Sequence, residues 1–161
     1  MRKIAVGLMM ILMLAAFGAG TADAAATATI DVTVTITAGA LDVSLNQTSW
    51  AIGSIAESAT PDTVAGTIFT ATNSRNASET LTLTVAGSAN WAAGTEAAAN
   101  QFAMQYSTND GGLWTSILSG GSSLGSVASG ASKAFDLKLL APTTTTVGGT
   151  QQSIVVTITA S

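Results

Sequence analysis

Four aromatic side chains, Trp50, Trp91, Trp114 and Tyr106, are the residues of this sequence best suited to meet a ligand. Their rings offer flat faces that stack on a sugar, so an exposed plane of them would form a carbohydrate platform. The same rings also fill the core of a sandwich that has no disulfides, and that is the favoured expectation. Catalysis finds little to work with. The sequence holds no His and no Cys, which removes the usual general bases, thiol nucleophiles and soft metal ligands. Serines are abundant, but a Ser nucleophile needs a neighbouring base to take its proton. Lys133 and Lys138 both fall in or beside one predicted strand. Asp31, Asp42, Glu57, Asp62, Glu79, Glu96, Asp110 and Asp136 are spread along the chain about one per segment. That spacing proposes neither the acid pair of a glycosidase nor a calcium loop with oxygen ligands at alternate positions. The expectation is a non-enzyme with no catalytic residue, no cofactor and no metal.

What precedes these residues sets the compartment. Met1-Arg2-Lys3 is a short positive start, Ile4 to Phe17 is an apolar run, and small residues follow up to Ala22-Asp23-Ala24. This is the layout of a secretory signal peptide, with cleavage expected after Ala24 and Ala26 as the fallback. The run is too short for the roughly 20 residues that span a bilayer. Residues 1–24 are therefore predicted to be a removable leader and residues 25–161 one exported domain. It would be secreted or held at the cell surface, passing through a periplasm in transit if the source is Gram-negative, with no membrane insertion once the leader is gone.

From Ala25 on, only Arg75, Lys133 and Lys138 stand against the eight carboxylates, for a net charge of minus five. Three scattered cations cannot neutralise a phosphate backbone, so nucleic acid is excluded as a partner, and an anionic membrane surface with it. A chain poor in charge and rich in Thr and Ser suits contact with copies of itself or with other surface proteins; polysaccharide is the other candidate partner.

The elements that must position these residues are strands. Ile30, Val32, Val34 and Ile36 occupy every second position, with Asp or Thr between, so one face of an extended chain is apolar and the other polar. The same alternation marks Leu41-Val43-Leu45, Leu81-Leu83-Val85, Phe102-Met104-Tyr106, Phe135-Leu137-Leu139 and Ile154-Val156-Ile158. Ile68 and Phe69 lie in another extended run. With the turn chemistry of Asn73-Ser74-Arg75-Asn76, that run and the Leu81 run predict an antiparallel hairpin. Glu96-Ala97-Ala98-Ala99 reads as a loop with at most one helical turn, and residues 119–132, rich in Gly and Ser, as a flexible connection. About eight short strands separated by turns predict an all-β protein: one β-sandwich with immunoglobulin-like or related Greek-key connections. A closed barrel is the alternative.

Two resemblances carry further expectations. Ser107-x-Asn109-x-Gly111-x-x-Trp114 resembles the Asp-box hairpin of sialidase-type propellers, with Asn where Asp is usual. It occurs once, so it predicts a self-bonded turn with Trp114 packed across it rather than a propeller blade. The Asn73 turn, the Leu-Thr-Leu-Thr-Val strand, the Trp after it, and the Pro-Thr loop leading to the closing Val-Thr-Ile-Thr-Ala strand resemble immunoglobulin-like domains of prokaryotic surface proteins. The style is similar to camelysin/TasA-type matrix-fibre subunits and to WxL-type surface domains, although the Trp-x-Leu pairs that name the latter are absent. The resemblance implies structural or adhesive duty in an extracellular matrix, with no particular ligand. From the fibre comparison follows a strand-exchange hypothesis: residues 25–37 leave their own domain and complete a neighbour's sheet, burying Ile30, Val32, Val34 and Ile36 there. The alternative keeps that strand at home.

Overall fold

Residues 30–38, 43–66 and 68–161 are described by the structure, a computed structural model. The predicted leader, Leu41 and the bend at Gly39 lie outside the described residues, as do the side chains of Ile30 and Asp31. Among the described residues the chain is all β, without a helix, in eleven strands. They are β1 (Ile30–Ala38), β2 (Val43–Leu45), β3 (Ser49–Ile55), β4 (Phe69–Asn73), β5 (Glu79–Ala86), β6 (Ala92–Gly94), β7 (Gln101–Ser107), β8 (Thr115–Ser116), β9 (Ser122–Val127), β10 (Ser132–Leu140) and β11 (Gln152–Ala160).

Two sheets form, as a sandwich requires. One runs in the order β3-β1-β11-β5-β9 and the other β2-β4-β10-β7-β6, with β8 also on β7. The alternating residues do what their period demands. Val32, Val34 and Ile36 of β1, Leu81, Leu83 and Val85 of β5, and Ile154, Val156 and Ile158 of β11 are buried from the first sheet. Phe69, Phe102, Met104, Phe135, Leu137 and Leu139 meet them from the second. Phe69 and Phe135, on neighbouring strands, stack with centroids 5.6 Å apart. From β4 onward successive parts of the chain change sheet: β4 lies in the second, β5 in the first, β6 to β8 in the second, β9 in the first, β10 in the second and β11 in the first.

Two local expectations are corrected and a third is narrowed. Strands β4 and β5 do not form a hairpin but lie in opposite sheets. The turn between them is an arch: the Asn73 amide donates to the carbonyls of Ala77 and Val127 at 2.8 and 2.9 Å, and its Oδ1 accepts from Arg75 N–H at 2.9 Å. Both apolar faces then oppose each other across the core, which a flat hairpin would not allow. Residues 119–132 are not merely a connection, because β9 lies within them and buries Leu124 and Val127. Gly125, at φ +98°, sits where the β5–β9 register shifts. A bulge adds one residue, so the two buried side chains stand three apart and the period of two is lost. The Ala97 region makes no helical turn; Ala98 and Gln101 exchange backbone bonds around Asn100, whose φ is +51°.

A further rail supports β10. Beyond the part paired with β4, its edge is covered by segment 59–63: Ala141 N–H donates to Ala59 O, Leu139 N–H to Pro61 O and Thr63 N–H to Leu137 O, all at 2.9–3.0 Å. Pro61 can sit there because its missing donor falls in a row where its carbonyl alone is used.

Candidate functional site

The four aromatics do not share one exposed plane. Trp91 is 1% exposed; its indole N–H donates to Thr145 Oγ1 at 3.0 Å and its ring lies 6.4 Å from that of Phe102. The tight turn before it sets this position. Ser88 Oγ accepts from Trp91 N–H at 3.0 Å, and a Cβ at Gly87 would lie 2.8 Å from the Trp91 carbonyl oxygen. Trp50, on β3, is half-buried and packs against the core. Tyr106, on β7, also packs against the core, and its hydroxyl donates to Ser123 O of β9 at 2.8 Å, tying the second sheet to the edge of the first. Trp114 is half-buried, with Lys138 Nζ 4.1 Å from its ring centroid. A platform of all four is therefore not formed. Trp91 spends both its face and its N–H on the interior.

The Ser107 turn bonds itself. Ser107 Oγ donates to Asn109 Oδ1 at 2.7 Å and accepts from Gly111 N–H at 3.1 Å; Asn109 Oδ1 also accepts from Leu113 N–H at 2.9 Å. Asp110 and Gly111 have φ of +56° and +75°, and a Cβ at Gly111 would come within 2.7 Å of Val64. The turn thus uses Ser107 Oγ and Asn109 Oδ1 to bond its own backbone.

Beside this turn is a cleft of about 370 Å³, with Asp110, Thr108, Ile68 and Asp136 among its walls. Asp136 is 3% exposed and accepts from the Thr63 hydroxyl at 3.2 Å. Burial holds its pKa above the ordinary carboxylate value; the Thr63 bond opposes this, and the nearby charges of Asp110 and Asp62 add to the rise. No group of three acid, His or Cys side chains able to hold a metal occurs among the described residues.

The first strand is the other candidate. β1 lies inside its sheet, parallel to β11 from Val32↔Gln152 to Ala38↔Ile158 and antiparallel to β3 from Ile30↔Ile55 to Thr35↔Ser49. Strands β3 and β11 are thus antiparallel to each other across β1, which fills the slot between them. Val32, Val34 and Ile36 are buried in that slot, each adding about 1.5–3 kcal/mol of apolar burial. Ile30 takes part through its backbone register with Ile55. The hydrophobic alternation in the sequence identified this strand. Its position between β3 and β11 was not legible there, because period fixes a face and not a neighbour.

A comparison with known protein families finds no match. A comparison with curated proteins finds no significant relative.

Proposed function

We propose that this is an exported structural subunit of the cell surface or an extracellular matrix, which self-assembles by donating β1 to a neighbour. The observation that carries the reading is the place of β1: the first described strand lies between β3 and β11 and is bonded to both, so that β3 joins the sheet through it. Withdrawing it opens a slot between β3 and β11 that an identical strand from another copy fits in register and in apolar pattern. The leader predicted for residues 1–24 supports an extracellular setting. The strand order supports a Greek-key sandwich of jelly-roll kind, in which successive strands change sheet. It fits immunoglobulin order less well, since that order keeps its last strands together in one sheet.

Locking β1 in its own domain tests the reading. Asp31 and Ser54 are register partners between β1 and β3, so Asp31→Cys with Ser54→Cys places a disulfide that forbids departure. Negative-stain microscopy of residues 25–161 should show ordered polymers that are absent in the oxidised variant and return on reduction. Polymers formed equally by the oxidised variant would defeat strand donation, and a wild-type protein that never polymerises would defeat the subunit role.

A second reading, contact with polysaccharide, rests on Trp114, whose half-buried ring carries the Lys138 ammonium 4.1 Å from its centroid. Retardation on polysaccharide-containing native gels, lost in Trp114→Ala, would support it; unchanged mobility on every polysaccharide would dismiss it.

A further inference from the structure

The first and last described strands, β1 and β11, lie side by side and run the same way. Their register is unbroken over seven pairs, from Val32↔Gln152 to Ala38↔Ile158. On its other side β11 pairs with β5 without a shift, from Val155↔Ala86 to Ala160↔Leu81. The irregularities of this sheet lie elsewhere: β1 shifts against β3 between Val32 and Thr33, and β5 against β9 between Leu81 and Thr82. Among the described strands the other parallel pair, β6 with β7, spans three residues. Both β1 and β11 are interior, β1 between β3 and β11 and β11 between β1 and β5, so neither is free to peel sideways.

Direction decides how such a pair meets tension along the chain. The starts of β1 and β11 share one end of the sheet, and Ala38 and Ile158 share the other. Force entering ahead of Ile30 and leaving beyond Ser161 therefore drags the two strands along each other in opposite senses. The evenly spaced bonds of a parallel ladder are then loaded together. Were the two strands antiparallel, both points of force would lie at one end and the bonds would open one after another. Side chains add to the resistance. Val32, Val34 and Ile36 stand inward beside Ile154, Val156 and Ile158, each at most 1% exposed. The smallest slide that keeps both sets inward and restores the bonds is two residues, about 6.6 Å at about 3.3 Å per residue. The whole ladder must break before any of it re-forms.

We infer that β1 and β11 form a shear clamp, and that bearing tension between the two ends of the chain is a further function of this domain. Three features meet in this one pair: it joins the first and last described strands, it is parallel, and it lies in the stretch of sheet without a register shift. Yielding under load is governed by the rate of crossing the first barrier rather than by total stability. Bonds of the second sheet, such as those of Thr63 to β10, therefore support stability without setting the force at which the chain gives way. The clamp closes within one molecule and needs no strand donation.

Optical tweezers holding a single copy of residues 25–161 between DNA handles test this, with no neighbour present to exchange strands. The chain has no Cys, so introduced thiols define the points of attachment. One pair, a cysteine added ahead of Ala25 together with Ser161→Cys, loads β1 and β11 along their length. The other, Ser49→Cys with Val155→Cys, grips two residues that flank Thr35 at one level of the sheet and pulls across the strands. Rupture in the first geometry is expected at a force several-fold higher than in the second. Ile36→Ala, or the milder Ile36→Val should that protein fold poorly, is expected to lower the first force. Thr63→Val is expected to leave it unchanged. Equal rupture forces in the two geometries, or a first force that falls with Thr63→Val and not with the change at Ile36, overturn the proposal.

Discussion

The Thr63 hydroxyl both donates to Asp136 Oδ1, at 3.2 Å, and accepts from Leu137 N–H, at 2.9 Å. One side chain thus ties segment 59–63 to two consecutive residues of β10. Replacing it with Val keeps the shape and removes both bonds, leaving a buried N–H and a buried carboxylate without this partner. Thr63→Val should lower stability in urea titrations by about 1–3 kcal/mol.

The carboxyl of Asp136 makes stability depend on pH in an unusual direction. Its folded pKa is raised above the unfolded value, chiefly by burial, so the folded state keeps its proton to higher pH than the unfolded chain. Folding is then penalised as pH rises through the window between the two values, and the penalty is complete above it. Asp136→Asn, which keeps an acceptor for Thr63, should be more thermostable than wild type at pH 7. The difference should shrink as pH falls through that window towards the ordinary carboxylate range, as melting curves across pH would register.

Trp91 serves stability through its ring and its N–H separately. Trp91→Ala should cost about 3–5 kcal/mol as a large buried side chain is lost. Thr145→Val, which removes the acceptor of the indole N–H and of Val147 N–H, should cost about 1–2 kcal/mol. Urea unfolding followed by far-UV circular dichroism separates the two.

Glycines with similar surroundings in sequence should respond differently. Gly111 combines φ of +75° with a contact to Val64 that a methyl group would overlap. Gly111→Ala should destabilise by about 1–3 kcal/mol. Gly66 has open space and no positive φ, so Gly66→Ala should lie within about 0.5 kcal/mol of wild type. Melting temperatures of the two variants decide this.

Much of the fold was readable wherever side chains kept strict alternation. Leu81-Leu83-Val85 and Ile154-Val156-Ile158 named their own inner faces, and Ser107 with Asn109 announced the turn that they make. The reading failed where geometry departs from a repeating pattern. Gly125 removed the period from β9, and Asn73 turned a supposed hairpin into a crossing between sheets. The candidate sites were less legible for a related reason. Residue type marked Trp50, Trp91, Trp114 and Tyr106 as equals, but only tertiary bonds to Thr145 and Ser123 distinguish ring from ring.

The pairing of Val32 with Gln152 and of Ile36 with Val156 has a kinetic consequence. The first strand finds its parallel partner only after nearly the whole chain has emerged, and closing so long a loop is slow compared with forming local turns. During that delay the apolar edge of a nascent molecule and the vacant seat in another are both available. Under the strand donation proposed above, dilute chains would close on themselves and crowded chains would link, so local concentration would set which product accumulates.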